Sequence, residues 1–216
     1  MVTILLVVIY IAFIGLGIPD SLFGTAWPAI YTEYGLPISL GGVITMVTFI
    51  GTTISSLLSA RLIRKFGTAR LTAGCTLLTA LALLGFSFSH SFVVLIILAV
   101  PLGLGAGSID TALNNYVASH YNASQMSFLH CFYGVGVTVS PFILSLVFRN
   151  DTNWRRGYGI ATIIQFAIAA IVIFSLPLWN RVRDKNEISE SSIKSLSVIE
   201  ASKIRGVKVM WLLFLC

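Results

Sequence analysis

A carboxylic acid and two amides interrupt one of the most apolar stretches of the sequence, where they could bind a polar solute or a proton. Asp110, Asn114 and Asn115 lie in the run from Phe92 to about Ser119, which is long enough to cross a bilayer as a helix. Asp110 and Asn114 are four residues apart and therefore share one helix face. A charge near the bilayer centre costs about 2.5–3.5 kcal/mol, so this face must meet a partner or a watery cavity. Shortly before Asp110 come three glycines that allow close approach: Gly103, Gly105 and Gly107.

Asp110 has the chemistry of a proton-coupling group. No Lys or Arg lies in the interior of the apolar runs to neutralise it. Low dielectric favours the neutral form of an unpaired carboxyl, so Asp110 is expected to load and release a proton. The alternative is a structural carboxyl bonded to a neighbouring hydroxyl. His130 is either an interface residue or a second member of this group, through a hydrogen bond to Asp110 or Asn114.

A second acid, Asp20, lies in the first apolar run, between a proline and a serine. Phe23 and Trp27 follow at i+3 and i+7 on the same helical side, which predicts a cavity carboxylate beside an aromatic platform. Two alternatives stay open: Asp20 caps a helix broken at Pro19, and Trp27 belongs to an interfacial aromatic belt. The candidate solute-binding residues are Asp20, Phe23, Trp27 and Asn114.

The sequence predicts neither an enzyme nor a cofactor or metal site. Cys75, Cys131 and Cys216 show no disulfide or metal-ligand spacing. His130 and Cys131 are adjacent, and adjacent helical side chains diverge, so they do not form a nucleophile–base pair. The constellation that an intramembrane enzyme needs and the repeated filter segment of a channel are both missing from the pattern.

The composition predicts an all-α, polytopic membrane protein. The 216 residues are 56% hydrophobic and 10% charged, with a mean hydropathy of +0.92, whereas soluble domains carry about 25% charge. The net charge of +6 indicates basic cytoplasmic loops rather than a nucleic-acid partner. Apolar runs predict six spans, which are Thr3 to Ile30, Ser39 to Ser59, Ala69 to Phe88, Phe92 to Ser119, Ser127 to Phe148 and Gly157 to Trp179.

Three regions are expected along the chain. Residues 1–180 form a six-helix transmembrane bundle, residues 181–208 a polar cytoplasmic linker, and residues 209–216 the start of a seventh helix in a fragment or truncated chain. Eleven Lys and Arg residues fall in the loops after spans two and six, and three fall on the other side. This excess places both ends of the bundle, including the N-terminus, on the cytoplasmic side of the cell membrane.

A short internal echo indicates a repeat. GLGIPD ends at Asp20 in span one, and GLGAGSID ends at Asp110 in span four. Both are glycine-rich segments that end in an acid. Their helices run in opposite directions, as a 3+3 inverted repeat requires.

These features together resemble the N-terminal half of a major facilitator superfamily transporter. Both have six spans with both ends inside and a charged linker into a seventh. The loop LSARLIRKFGTARL is similar to the family's G-x-L-x-D-R-x-G-R-R signature at Leu62, Lys65 and Gly67. It departs from the signature at Ala60 and Arg64, which stand where the family has Gly and Asp. The resemblance implies a conformational gating loop at Arg64, Lys65 and Gly67.

A narrower likeness is to the fucose/glucose:proton symporters, through the acid of span one and two patterns. These are G-x-G…(D/E)-x-A-x-N from Gly105 to Asn114 and S-x-L-H-x-x-Y-G-x-G…P from Ser127 to Pro141. The likeness implies sugar binding by Asp20 and proton coupling by Asp110.

The expected function is therefore secondary active transport of a small polar solute, a sugar, by proton symport with alternating access. The partners are the solute, the proton, the bilayer and a C-terminal six-helix half. Sodium coupling stays open, because a carboxylate serves either ion. The alternatives are efflux by proton antiport, whose G-P-x-x-G-G signature is replaced by Ser140-Pro141-Phe142, and a half-transporter that does not transport.

Overall fold

The computed structural model describes residues 2–150 and 153–179, and these ranges are built from long α-helices. Six of the helices are long and apolar enough to cross a membrane, which confirms the predicted all-α, six-span fold. The predicted linker and the predicted start of a seventh helix lie outside the described residues. The helices are α1 (Val2–Tyr34), α2 (Gly41–Phe66), α3 (Thr68–Phe88), α4 (Phe92–His120), α5 (Ala123–Asn150) and α6 (Trp154–Phe174).

The helix ends differ from the predicted spans because caps and turns, rather than the apolar runs, terminate the helices. Helix α1 continues four residues past Ile30 and is followed by Gly35, at a φ of 61° that favours glycine. Helix α2 continues through its basic residues to Phe66, where Gly67 follows at a φ of 77°. Helix α5 begins early, at Ala123, because Asn122 and Gln125 exchange side-chain and backbone hydrogen bonds at its start.

Helices α1 and α5 pack with their backbones in contact. A Cβ on Gly17 would collide with the carbonyl oxygen of Tyr133, and one on Gly136 would collide with that of Ile14. Ser140 Oγ adds a hydrogen bond of 2.5 Å to the Ile18 carbonyl of the facing helix. Small residues at the contact are what allow two membrane helices to approach this closely.

Helices α2 and α4 use the same arrangement. A Cβ on Gly103 would collide with the Thr48 carbonyl, and one on Gly107 with the Thr52 carbonyl. Ser55 Oγ reaches the carbonyl oxygen of Leu104 at 2.5 Å. In a 3+3 inverted repeat α1 corresponds to α4 and α5 to α2, so one packing device occurs twice.

A proline supplies a further bond between α1 and α5. Pro141 has no N–H, so the carbonyl of Val137, one turn earlier in α5, lacks its intrahelical donor. Ser21 of α1 donates its hydroxyl to this carbonyl at 2.6 Å. The freed backbone group is thus satisfied across the contact, as it must be where no water is present.

One end of the bundle is fastened by a network that we call the Glu33–Arg155 clamp, formed by Glu33, Arg155, Trp154 and Ser89. Arg155 Nη2 and Nη1 donate to the two carboxylate oxygens of Glu33 at 2.7 and 2.9 Å. Trp154 Nε1 donates to the same carboxylate at 2.7 Å. Arg155 Nε also donates to the Ser89 carbonyl at 2.6 Å. The ends of α1, α3 and α6 are therefore joined by charge-assisted bonds.

We expect Gly136→Ala to destabilise the bundle, because the new methyl group meets backbone of α1 that cannot rotate away. Overpacking of this kind costs about 1–3 kcal/mol. The measurement is the apparent melting temperature of the protein in detergent. Gly134→Ala is the matched control, since a Cβ there meets nothing within 4 Å. Equal melting temperatures for the two variants would contradict close α1–α5 packing.

Candidate functional site

A cavity of about 430 Å³ lies between the helices, and both membrane acids line it. Its walls are largely aromatic and aliphatic, and its polar groups come from α1, α2, α4 and α5. A cavity of this size holds a small solute. The lining residues are Phe13, Leu16, Pro19, Asp20, Phe23, Ile44, Thr45, Thr48, Phe49, Thr52, Phe86, Leu102, Ala106, Asp110, His130 and Tyr133.

Asp20 projects into the cavity from α1, beside buried Pro19. Helix α1 is continuous through this proline, so Asp20 lies within the helix rather than at a helix end. Tyr133 of α5 donates its hydroxyl to Asp20 Oδ2 at 2.6 Å. Phe23 lines the cavity one turn further along α1. The structure thus places Asp20 and Phe23, two of the candidate solute-binding residues, on one wall.

Asp110 reaches the same cavity from α4. Asn114 lies one turn further along and donates Nδ2 to Asp110 Oδ1 at 2.9 Å, so it supports the acid and is not itself among the lining residues. His130 of α5 lines the cavity within electrostatic reach of Asp110. Its ring meets Phe13 edge-on, with 6.1 Å between ring centroids. Asp110 and His130, the candidate proton-coupling residues, therefore share one compartment.

Trp27, the remaining candidate solute-binding residue, does not line the cavity. Its side chain is only 8% exposed, and its indole N–H donates to the Ile38 carbonyl at 2.8 Å. The ring packs on Gly41, where a Cβ would come within 2.7 Å of it. Trp27 also contacts Phe23, with 5.4 Å between ring centroids. The structure places it behind the cavity wall rather than in the cavity.

The candidate gating residues lie at the junction between α2 and α3, away from the cavity. Arg64 and Lys65 are exposed in the last turn of α2, and Lys65 Nζ lies 5.3 Å from the centre of the Phe66 ring. Gly67 ends the helix, and its N–H donates to the Ile63 carbonyl at 2.8 Å.

Sequence reasoning did not identify two groups of polar lining residues. Thr45, Thr48 and Thr52 form a hydroxyl stripe on one face of α2, and their spacing of three and four residues is a signal that could have identified them. Tyr133 belongs to the pattern from Ser127 to Pro141, but that pattern did not place it opposite Asp20, because this position depends on the register between α1 and α5.

The titratable groups that line the cavity include two carboxylic acids and one histidine. Among the lining residues that the structure describes, two are carboxylic acids and none is Lys or Arg. Across residues 2–150 and 153–179, no group of three or more His, Cys, Asp and Glu side chains is close enough to hold a metal ion. The polar groups that the cavity offers to a solute are thus mainly the oxygens of acids and hydroxyls.

Solved structures share this fold. The peptide transporter POT, a mutant in complex with alafosfalin, superposes with a TM-score of 0.66 and 16% identity, covering 97% of this chain and 45% of that chain. The same transporter with sulfate gives a TM-score of 0.64 and 15% identity, covering 97% and 44%. At these identities the likeness concerns the fold alone.

Two curated proteins are similar in sequence. The glucose/mannose transporter GlcP of Bacillus subtilis is 25% identical over 151 residues, covering 69% of this chain and 37% of that protein. The cis,cis-muconate transport protein of Acinetobacter baylyi is 22% identical over 195 residues, covering 86% and 47%. The chain therefore spans less than half the length of each. Residues 9–216 match the Major Facilitator Superfamily, and the chain belongs to this family of membrane transporters.

Proposed function

We propose that this chain forms one half of a secondary active transporter that carries a sugar together with a proton by alternating access. The observation that carries the proposal is the hydrogen-bonding character of the cavity, which offers acceptors where a sugar offers donors. The aromatic walls fit the apolar face of a sugar ring. The proposed binding residues are Asp20 and Phe23, with Trp27 behind Phe23 and Asn114 behind Asp110.

The threonine hydroxyl groups that line the cavity donate hydrogen bonds to backbone carbonyls of the protein. Thr45 donates to the Gly41 carbonyl at 3.2 Å, and Thr48 donates to the Ile44 carbonyl at 3.0 Å. Thr52 donates to the carbonyls of Thr48 and Gly103 at 3.0 and 3.2 Å. Each hydroxyl oxygen keeps lone pairs that can accept a bond. A solute rich in O–H donors matches this surface.

The two acids in the lining favour a neutral sugar over a negatively charged organic acid as the solute. A dicarboxylate such as muconate is an acceptor at both ends when ionised. It would meet the acids Asp20 and Asp110 with no described Lys or Arg in the lining to balance its charge. Whenever either acid is ionised, like charges repel at short range, so the lining favours the substrate of the glucose/mannose transporter over that of the muconate protein.

Asp110 is the proposed proton carrier, with His130 as its neighbour in the lining of the cavity. Asp110 faces the cavity, is held by Asn114 and has no described cation bonded to it. Binding and release of one proton there would couple the solute to the proton gradient. The chain's relatives are more than twice the length that it matches, so we propose that a second six-helix half completes the cavity.

The proposed location is the cell membrane, with the N-terminus and the gating loop in the cytoplasm. The order of the predicted spans assigns eleven Lys and Arg residues to the side that includes Arg64 and Lys65, against three on the other. Rocking of the bundle would then open the cavity to each side in turn, with Gly67 at the junction between α2 and α3.

Uptake of labelled D-glucose by cells expressing the full-length transporter tests the substrate. We expect accumulation driven by an inward proton gradient, competition by D-mannose, and no competition by cis,cis-muconate. If a sodium gradient drives uptake at constant pH, the coupling ion is sodium rather than the proton. Muconate competition, or export of a lipophilic cation such as ethidium, would overturn the sugar proposal, and failure of every arm would favour a chain that does not transport.

Asp110→Asn tests coupling, because an amide has the shape of the carboxyl but cannot release a proton. We expect the variant to lose uphill accumulation and its pH dependence while glucose counterflow continues. Asp20→Asn is the matched control, an acid-to-amide change in the same cavity. It is expected to keep the response to the proton gradient and to weaken glucose affinity by about 10-fold, the effect of a disturbed charged hydrogen bond. Uphill accumulation by Asp110→Asn would contradict the assignment.

Cysteine labelling tests the orientation. In a variant without native cysteines, Lys65→Cys is expected to react with an impermeant thiol reagent only when the cytoplasmic face is opened. His90→Cys, at the exposed turn between α3 and α4, is expected to react in intact cells. The opposite pattern would place the N-terminus outside.

A further inference from the structure

The hydrogen bond between Tyr133 and Asp20 joins two helices at the wall of the cavity. The phenol oxygen lies 2.6 Å from Asp20 Oδ2, and both side chains line the cavity. Their relative position is fixed nearby, where Gly17 of α1 contacts the carbonyl of Tyr133 itself and Gly136 contacts Ile14. This short bond therefore lies beside a point where the backbones of α1 and α5 are in contact.

The hydrogen bond between Tyr133 and Asp20 leaves two oxygens that can still accept hydrogen bonds from a solute. Tyr133 has one O–H proton and uses it on Asp20 Oδ2, so its oxygen faces the cavity as an acceptor. Asp20 Oδ1 is not part of this bond and keeps its lone pairs. The two acceptors are the phenol oxygen of Tyr133 and Oδ1 of Asp20, and their side chains are joined by a hydrogen bond. Two hydroxyl groups of a solute that bind both acceptors must therefore be on neighbouring carbon atoms.

A second tyrosine on the same pair of helices shows what a purely structural role looks like. Tyr10 of α1 donates its hydroxyl at 3.1 Å to the backbone carbonyl of Gln125 near the start of α5, and Tyr10 is not among the cavity-lining residues. Its partner is a backbone group. Tyr133 instead holds an acid that faces the cavity.

We infer that Tyr133 and Asp20 act as one recognition unit, in which Tyr133 orients the carboxylate and the two groups together accept bonds from a pair of adjacent hydroxyls on the solute. The inference rests on the proposed sugar transport. It identifies Tyr133 of α5 as a specificity-determining residue. It also predicts that the transporter recognises a vicinal diol of the sugar. A solute that lacks one of the two hydroxyls leaves an acceptor of the unit unpaired.

The test uses Tyr133→Phe in the full-length transporter, which removes the hydroxyl and keeps the ring. We expect the concentration of D-glucose for half-maximal counterflow to rise about 10-fold, with little change in maximal rate, as for loss of a hydrogen bond to a charged group. Tyr10→Phe is the matched control and is expected to behave as the unmodified protein. In the double variant with Asp20→Asn, the combined loss is expected to be smaller than the sum of the two single losses, because Tyr133 acts partly by orienting the Asp20 carboxylate.

Monodeoxy analogues of D-glucose identify the diol. The unmodified protein is expected to bind the analogues that lack either of two neighbouring hydroxyls about 10-fold more weakly than D-glucose. In Tyr133→Phe, one of these analogues should bind as well as D-glucose, because the acceptor for that hydroxyl is gone. Equal discrimination in both proteins, or additive losses in the double variant, would overturn the inference.

A measurement without sugar separates this inference from the proposed function. The carboxyl infrared band that disappears in Asp20→Asn is expected to shift in ligand-free Tyr133→Phe and to stay unchanged in Tyr10→Phe. An unshifted band overturns the positioning role whatever the substrate is. Absence of D-glucose binding to the unmodified protein, with a shifted band, overturns the sugar assignment and supports the role of Tyr133 in orienting Asp20.

Discussion

Contact between helix backbones at glycine is the interaction on which this bundle depends. Lipid offers little hydrophobic drive for helices to associate, so packing and polar bonds at close range must hold them together. Gly17 and Gly136 bring α1 against α5, while Gly103 and Gly107 bring α4 against α2. Once the backbones touch, short side chains such as Ser140 can reach carbonyl groups on the facing helix.

The same contacts place the acids. Asp20 lies three residues after Gly17, and Asp110 lies three residues after Gly107. Each glycine fixes one face of its helix against a neighbour, and a residue three positions later is turned toward the rim of that contact. Both acids consequently face the same cavity, where water or solute can solvate them. The glycine contacts therefore explain both why Asp20 and Asp110 can lie within a membrane bundle and why they are accessible to a solute.

The sequence predicted the parts of this structure that depend on local chemistry. Six apolar runs gave six helices, and the cost of burying Asp20 and Asp110 in lipid required a cavity. It could not predict which side chains meet across helices. Trp27 shares a helical side with Phe23, yet the turn before α2 supplies the Ile38 carbonyl that holds its indole in the core. Tyr133 faces Asp20 only because of the register of α1 against α5. Such information lies in tertiary packing rather than in spacing.

The Glu33–Arg155 clamp has a consequence for how this protein can change over generations. Its two charged members are 122 positions apart in the chain, and Arg155 is only 15% exposed. Replacing either one alone leaves the other charge without its partner while Trp154 and Ser89 keep their positions around it. A neutral pair is therefore reached most easily when both codons change together. The two charged positions at this end of the bundle are thus expected to change as a pair, even though each residue lies on a different helix.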